Sequence, residues 1–452
     1  MRKLFGTDGI RAVAGEAPLD ARTIYATGVA LAHTMERHGS ASDASRVLLG
    51  MDTRESSPWI SAMLAAGLRT GGAAVESADV VTTPAIAYLV RRGGFAAGVV
   101  ISASHNPWQD NGIKVFGGDG YKLPDEQELE IEREIFRLLE DSALAPPSSP
   151  TAPEPDAHFR LDYEEFLRSA VPGLSLKGSS IVVDCANGAS STIAPELFST
   201  LGGTVHLTHA TPDGRNINEN CGALHPEIVA AETAARGADM GVTLDGDADR
   251  SLFADANGRV VNGDAVLLLA ARDLQARGLL HDDIVVATTM SNMGLEAALG
   301  RNAIRMLRAP VGDKYVLQIM RQHQATLGGE QSGHILFPAH STTGDGLLTA
   351  LLVLDIVQRS GKPLHELIAD LKVFPQVIVN VRVREKQPLE QIAPVRKNIM
   401  DAETALAGRG RVVVRYSGTE ALARVMIEAE SREEMEYHAG RIADAIRATL
   451  GI

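Results

Sequence analysis

Cysteine is almost missing from this chain: Cys185 and Cys221 are the only two in 452 residues, with no Cys-x-x-Cys pair. That excludes a disulfide framework and a thiolate metal site. No apolar run approaches the ~18 residues a membrane helix needs, and Met1-Arg-Lys-Leu-Phe-Gly contains no apolar leader. Basic residues are outnumbered, 43 Lys and Arg against 57 Asp and Glu, for a net charge of -14. Such a surface argues against a nucleic-acid or anionic-membrane partner. Four common signatures are absent as well: the P-loop, Gly-x-Gly-x-x-Gly, His-Glu-x-x-His and the Gly-x-Ser-x-Gly elbow. Nucleotide binding, zinc hydrolysis and a serine-hydrolase triad lose their usual support. The expectation is a cytoplasmic protein with no nucleic-acid or membrane partner.

What the chain does have is ordinary globular bulk, 45% hydrophobic and 22% charged, enough for three or four domains. Short apolar runs alternate with helical periodicity: 47–51, 99–101, 181–183, 240–244 and 284–287 read as strands, with helices between them. That is an α/β pattern with mixed, mostly parallel sheets. Five prolines between Ala145 and Ala157 mark a linker. After Phe374 the pattern changes to alternating strands and a terminal helix from Glu433, an α+β unit. The expected domains are 1–150, 158–255, 256–370 and 374–452.

Several of these strands stop at polar loops, where α/β proteins keep their chemistry. The run Val99-Val-Ile ends in Ser102-Ala-Ser-His-Asn-Pro107. Ser104 at its centre reads as a nucleophile or phosphate carrier, with His105 and Lys114 as local activators. A helix N-cap is the plain alternative, and Ser102 is a second candidate. The strand 240–244 delivers Asp245-x-Asp247-x-Asp249. Three alternating carboxylates can converge on one hard cation. A calcium loop would need Gly where Arg250 stands and Glu where Ala256 stands, so Mg²⁺ with a phosphate oxygen fits better. A solvated acidic turn is the competing reading. Glu330, Ser332 and His334 sit on a glycine-rich turn and offer groups for sugar hydroxyls or an amine. Arg415-Tyr-Ser417-Gly418-Thr419, closed by Arg424, has the makings of an anion nest, or of an ordinary hairpin. Phe5-Gly-Thr-Asp-Gly-Ile-Arg11 is either a surface turn or a backbone phosphate contact with Arg11 reaching inward.

These motifs, in this order and over nearly the whole chain, resemble the α-D-phosphohexomutase superfamily. The Phe5–Arg11 opening, Asn216-Ile-Asn218 with Cys221-Gly, Thr289-Met-Ser-Asn-Met-Gly-Leu-Glu296 and Gln331 are most similar to its bacterial glucosamine-phosphate branch. Ala12, Tyr416 and Ala421 depart from the usual residues. The resemblance implies three α/β domains and a C-terminal α+β domain around a central cleft. It implies that Ser104 carries a phosphoryl group beside one Mg²⁺ held by Asp245, Asp247 and Asp249. Glu330 and Ser332 would bind the sugar. Arg415, Ser417, Gly418, Thr419 and Arg424 would bind the non-reacting phosphate. Lys114 and His334 would do acid/base work, with Arg11 and Arg250 near the transferring group. The implied reaction interconverts glucosamine 6-phosphate and glucosamine 1-phosphate, primed by glucosamine 1,6-bisphosphate or glucose 1,6-bisphosphate, in a monomer or homodimer. A glucose- or mannose-phosphate specificity is the alternative, with a non-catalytic phosphosugar-binding protein behind it.

Overall fold

The structure, a computed structural model, describes residues 4–6, 8–38, 45–417 and 421–451. Two compact units are present: residues 1–289 with 307–368, and residues 290–306 with 369–452.

The first unit contains three sheets. One has six strands in the order Phe5–Gly6, Gly9–Val13, Asp110–Gly117, Ala97–Ile101, Arg46–Met51, Ala74–Val80. The last three are parallel and the first three antiparallel. The parallel strand Ala97–Ile101 is buried at every residue, which explains its unbroken apolar composition. Helix Ala21–His38 packs Ile24, Val29, Leu31 and Met35 into the core beneath this sheet. The opening segment, read as a possible surface turn, instead forms a short hairpin whose second strand pairs with Asp110–Gly117.

In the second sheet Thr204–Thr208, Ser180–Asp184 and Met240–Leu244 are parallel, and Ser251–Asp255 returns antiparallel to Met240–Leu244. The return strand was not evident in the sequence. It makes the Asp245–Arg250 loop the tip of a hairpin, with Ser251 facing Leu244. After Ser180–Asp184 the chain forms a 3-10 turn, Ala189–Thr192, and a short helix, Ala194–Ser199. Pro195 in that first turn has no N–H to continue a longer helix. In the third sheet Ile284–Thr288 runs parallel to Gly328–Gly329, which pairs with Ile335–Leu336. No helix or strand lies between Glu140 and His158, where the prolines cluster.

The second unit carries a three-stranded antiparallel sheet, Gln376–Arg382, Leu422–Ala429 and Gly410–Tyr416. Helices Ala393–Ala405 and Arg432–Leu450 cover one face, closing a core around Val425, Ile427, Ile442 and Ile446. Among the described residues, no helix is long and apolar enough to cross a membrane.

Candidate active site

Ser104 follows the end of the buried strand Ala97–Ile101, in a left-handed backbone conformation (φ 53°). No helix begins there, so the N-cap reading fails. The Ser104 side chain donates to Asp245 Oδ2 at 2.7 Å and lies 3.3 Å from His105 Nδ1. Ser102 turns the other way and uses its Oγ to accept the Ser104 N–H at 2.9 Å. The turn therefore aims Ser104, not Ser102, at the acidic loop.

Asp245, Asp247 and Asp249 are all buried, with ligand atoms within 4.8 Å of one another. Lys114, on the neighbouring strand Asp110–Gly117, sets its ammonium 2.8 Å from Asp247 and 3.7 Å from Asp249. Asp247 Oδ1 and Asp249 Oδ1 are buried without a hydrogen bond. Buried carboxylate oxygens left unpaired are costly, and converging oxygen ligands are what a hard cation takes. The cluster fits a magnesium ion held by these three carboxylates. Burial together with Asp249 and Asp247 pushes the Asp245 carboxyl up to about 8, which is the signature of negative charge in excess.

The cations around the cluster are fixed by carboxylates. Burial would lower the Lys114 pKa, but Asp247, Asp8 and Asp249 overcome it and hold the group charged far above the usual lysine range. Asp8 bridges Lys114 at 2.9 Å and Lys122 at 2.7 Å, and pairs with Arg11. Lys122 also reaches Asp313 at 2.7 Å. Arg250 sends its backbone N–H to Asp245 (3.2 Å) and lies 3.3 Å from His105 Nδ1. A guanidinium only donates, so His105 Nδ1 is the acceptor. Burial, then Arg250 and Arg11, lower the His105 pKa, consistent with a neutral ring.

His334 is buried, with Nδ1 3.7 Å from Asp249 and Nε2 3.7 Å from Asp313. Burial opposes its charging, while Asp249 and Asp313 raise its pKa. The Gly344 N–H donates to Nε2 at 3.1 Å, which a protonated nitrogen could not accept. That contact favours the ring with its proton on Nδ1, facing Asp249. Glu330 accepts from the Gly312 N–H (3.0 Å) and from the exposed Ser332 hydroxyl (3.2 Å). A cavity of about 390 Å³ is lined by Asp8, Arg11, His105, Lys122, Asp249, Arg250, Asp313, Glu330 and His334, among others. A hexose phosphate is the right size and polarity for such a space.

Ser104, Asp245, Asp247, Asp249, Lys114, Arg11, Arg250, Glu330 and His334 are thus gathered in the first unit. Arg415 and Arg424 lie in the second, directly opposite one another on neighbouring antiparallel strands. Ser417 is buried and donates its N–H to Leu422. Gly418 and Thr419 lie outside the described residues. Asp8 and Asn218 lie in motifs singled out in the sequence but were given no role of their own there, and Lys122, Asp313 and Arg54 were passed over; Asp8, Lys122 and Asp313 join the cations, and Arg54 and Asn218 hold the Ser104 loop. Asp52-Thr-Arg54 gave a usable signal, being another polar stretch at a buried strand end.

Comparison with known proteins gives four successive matches to phosphoglucomutase/phosphomannomutase models: alpha/beta/alpha domain I at residues 2–141, domain II at 162–258, domain III at 262–374 and the C-terminal domain at 378–445. A protein of Koribacter versatilis described as phosphoglucosamine mutase is 59% identical over 458 residues, covering 100% of this chain and 98% of that one. A phosphoglucomutase/phosphomannomutase family protein from Burkholderia thailandensis superposes with a TM-score of 0.78 at 23% identity, covering 98% of this chain and 97% of that one. N-acetylphosphoglucosamine mutase of Aspergillus fumigatus, solved with GlcNAc-6P and magnesium, gives 0.64 at 20% identity, covering 99% and 96%. With four consecutive domain models and a full-length relative at this identity, the chain belongs to the phosphoglucomutase/phosphomannomutase family.

Proposed function

We propose that this enzyme interconverts glucosamine 6-phosphate and glucosamine 1-phosphate, as a phosphoglucosamine mutase working through a phosphoserine at Ser104. The observation that carries the mechanism is the 2.7 Å contact of Ser104 Oγ with one of three buried, clustered carboxylates. The specificity for the amino sugar rests on the full-length relatives that bear that name.

In the forward direction the P–Oγ bond of phosphoserine breaks and a new P–O bond forms to the free sugar hydroxyl. The hydroxyl proton passes to a site base, and Ser104 Oγ is left to accept a proton. The product is glucosamine 1,6-bisphosphate. Once turned around, it returns its other phosphoryl group to Ser104 and leaves as the isomer. Asp245, Asp247 and Asp249 would hold a magnesium ion, which would supply positive charge against the transferring oxygens. Lys114, held as an ammonium by Asp8 and Asp247, serves as a charge stabiliser and hydrogen-bond donor rather than a base. His105 and His334 line the cavity and are the imidazoles placed for acid/base work. Arg11 and Arg250 bring guanidinium groups to the same wall, suited to phosphate. Glu330 and Ser332 take the sugar. Arg415, Ser417, Gly418, Thr419 and Arg424 form the grip for the phosphate that is not reacting, with the cross-strand arginine pair at its base. The domains are 1–150, 158–255, 256–370 and 374–452, and a sugar 1,6-bisphosphate primes the enzyme.

Two measurements test this. Intact-mass analysis after incubation with glucose 1,6-bisphosphate is expected to show one phosphate on the protein, and none on Ser104→Ala. Mutase activity of Ser104→Ala is expected to fall more than about 10³-fold, as for loss of an essential nucleophile. Full activity in Ser104→Ala would refute the carrier. A higher kcat/KM on glucose or mannose phosphate than on glucosamine phosphate would refute the specificity.

A further inference from the structure

The Ser104 turn is held from behind by two side chains that no part of the proposed chemistry uses. The Arg54 guanidinium donates through Nη2 to the backbone carbonyls of Ser104 (3.1 Å) and Asn106 (2.6 Å). Asn218 donates through Nδ2 to the same two carbonyls, at 2.9 and 3.1 Å. The two donors come from different segments of the chain. Arg54 follows strand Arg46–Met51 of the first sheet, and Asn218 lies in the loop after strand Thr204–Thr208 of the second.

Each donor is itself locked. Arg54 is 1% exposed and ion-paired with the buried Asp52, which also takes the Arg54 N–H (3.0 Å) and the Ser57 hydroxyl (2.8 Å). Asn218 is left-handed (φ 59°), a conformation Asn tolerates well, and its N–H binds the Ala186 carbonyl at 2.9 Å. The outer side of the turn is braced by the same two segments. The Arg215 guanidinium stacks over Trp108 at 5.0 Å and pairs with Glu55 at 2.6 Å.

Buried carbonyls need a donor each, and one would satisfy that need. Here two carbonyls share two donors from different segments, around a serine in a backbone conformation that costs a non-glycine residue about 1 kcal/mol or more. We propose that Arg54 and Asn218 are positioning residues that clamp the Ser104 turn in register with the Asp245 loop, so that the rate of phosphoryl transfer, not sugar binding, depends on them. This inference rests on the phosphoserine reading above.

The test uses the full-length enzyme with Asn218→Asp, which keeps the side-chain volume and left-handed tolerance but exchanges a donor for an acceptor, and Asn218→Gly, which removes the side chain alone. Misplacement of a reacting group by about 1 Å costs on the order of 10²-fold. Expected are a kcat reduced about 10- to 100-fold, a KM for the sugar phosphate within about 3-fold of wild type, and a matching fall in the single-turnover rate of Ser104 phosphorylation by glucose 1,6-bisphosphate. Arg54→Lys, combined with Asn218→Gly, should lose less than the product of the single losses, because both act on one turn. If either Asn218 variant, corrected for its folded fraction, phosphorylates within about 2-fold of wild type, the clamp is refuted and the contacts are structural only. If wild-type protein takes up no phosphate on Ser104, the phosphoserine reading falls instead.

Discussion

Gly246 is where the metal loop and the Ser104 turn touch. A Cβ at this position would stand 2.5 Å from the Ser104 carbonyl oxygen, 2.9 Å from Asn218 Nδ2 and 3.0 Å from Ile217 Cδ1. To bring the first contact even to 3.0 Å, the tightest that real Cβ atoms tolerate, Gly246→Ala must separate the two loops by about half an ångström. To reach ordinary contact at 3.4 Å the separation approaches an ångström. Neither side yields easily. The Ser104 carbonyl is held by Arg54 and Asn218, and the Gly246 carbonyl is bound by the Ala189 N–H at 2.8 Å. Overpacking of this kind costs about 1–3 kcal/mol of stability. The displacement also separates the two loops that bring Ser104 Oγ to Asp245, and misplacement of a reacting group costs about 10²-fold in rate per ångström. Gly246→Ala is therefore expected to stay folded, with a modestly lower Tm, while kcat falls about 10- to 60-fold. Circular dichroism melts and steady-state kinetics read the two effects separately. Retention of half or more of wild-type kcat in a folded variant would refute the claim that this contact sets the geometry of the turn.

Two further substitutions isolate stability from catalysis. Gly440 lies inside helix Arg432–Leu450 with open space around its would-be Cβ; Gly440→Ala should stabilise the second unit by about 0.5–1 kcal/mol, seen as a higher denaturant midpoint, and an unchanged or lower midpoint refutes it. Asp345 caps helix Gly346–Ser360, accepts the Tyr163 hydroxyl at 2.7 Å and has its carboxyl raised by burial to about 6. Its folded form holds the proton more tightly than the unfolded form, so stability is lost as pH rises from about 4 to about 6 and stays lost above that. Asp345→Asn, which can still cap the helix, removes that loss: its stability relative to wild type should rise between pH 5 and pH 7.5, by about 1–3 kcal/mol at most, read as a growing Tm difference. A Tm difference that does not change over that range would refute the assignment.

The motifs were legible in the sequence because they sit where a periodic signal stops. The run Ala97–Ile101 is continuous and apolar since both faces of a parallel strand are covered, and Ser104 stood out against it. Asp245, Asp247 and Asp249 were visible for the same reason after Met240–Leu244. The terminal helix expected from Glu433 begins at Arg432, as its charged face alternates with an apolar one at helical spacing. The return strand Ser251–Asp255 was not legible, because its buried ends are the polar residues Ser251 and Asp255, which leave only three apolar residues in the run.

By itself, then, the sequence determined which polar loops follow which buried strands, since local composition encodes burial and turns. Tertiary structure alone decided which of Ser102 and Ser104 faces the carboxylates, because a single left-handed residue reverses the direction of the turn. It alone decided that Lys114 is locked as an ammonium by Asp8 and Asp247, residues 106 and 133 positions away. And it alone brought Arg54 and Asn218 onto the same two carbonyls, a convergence of distant segments that no spacing along the chain records.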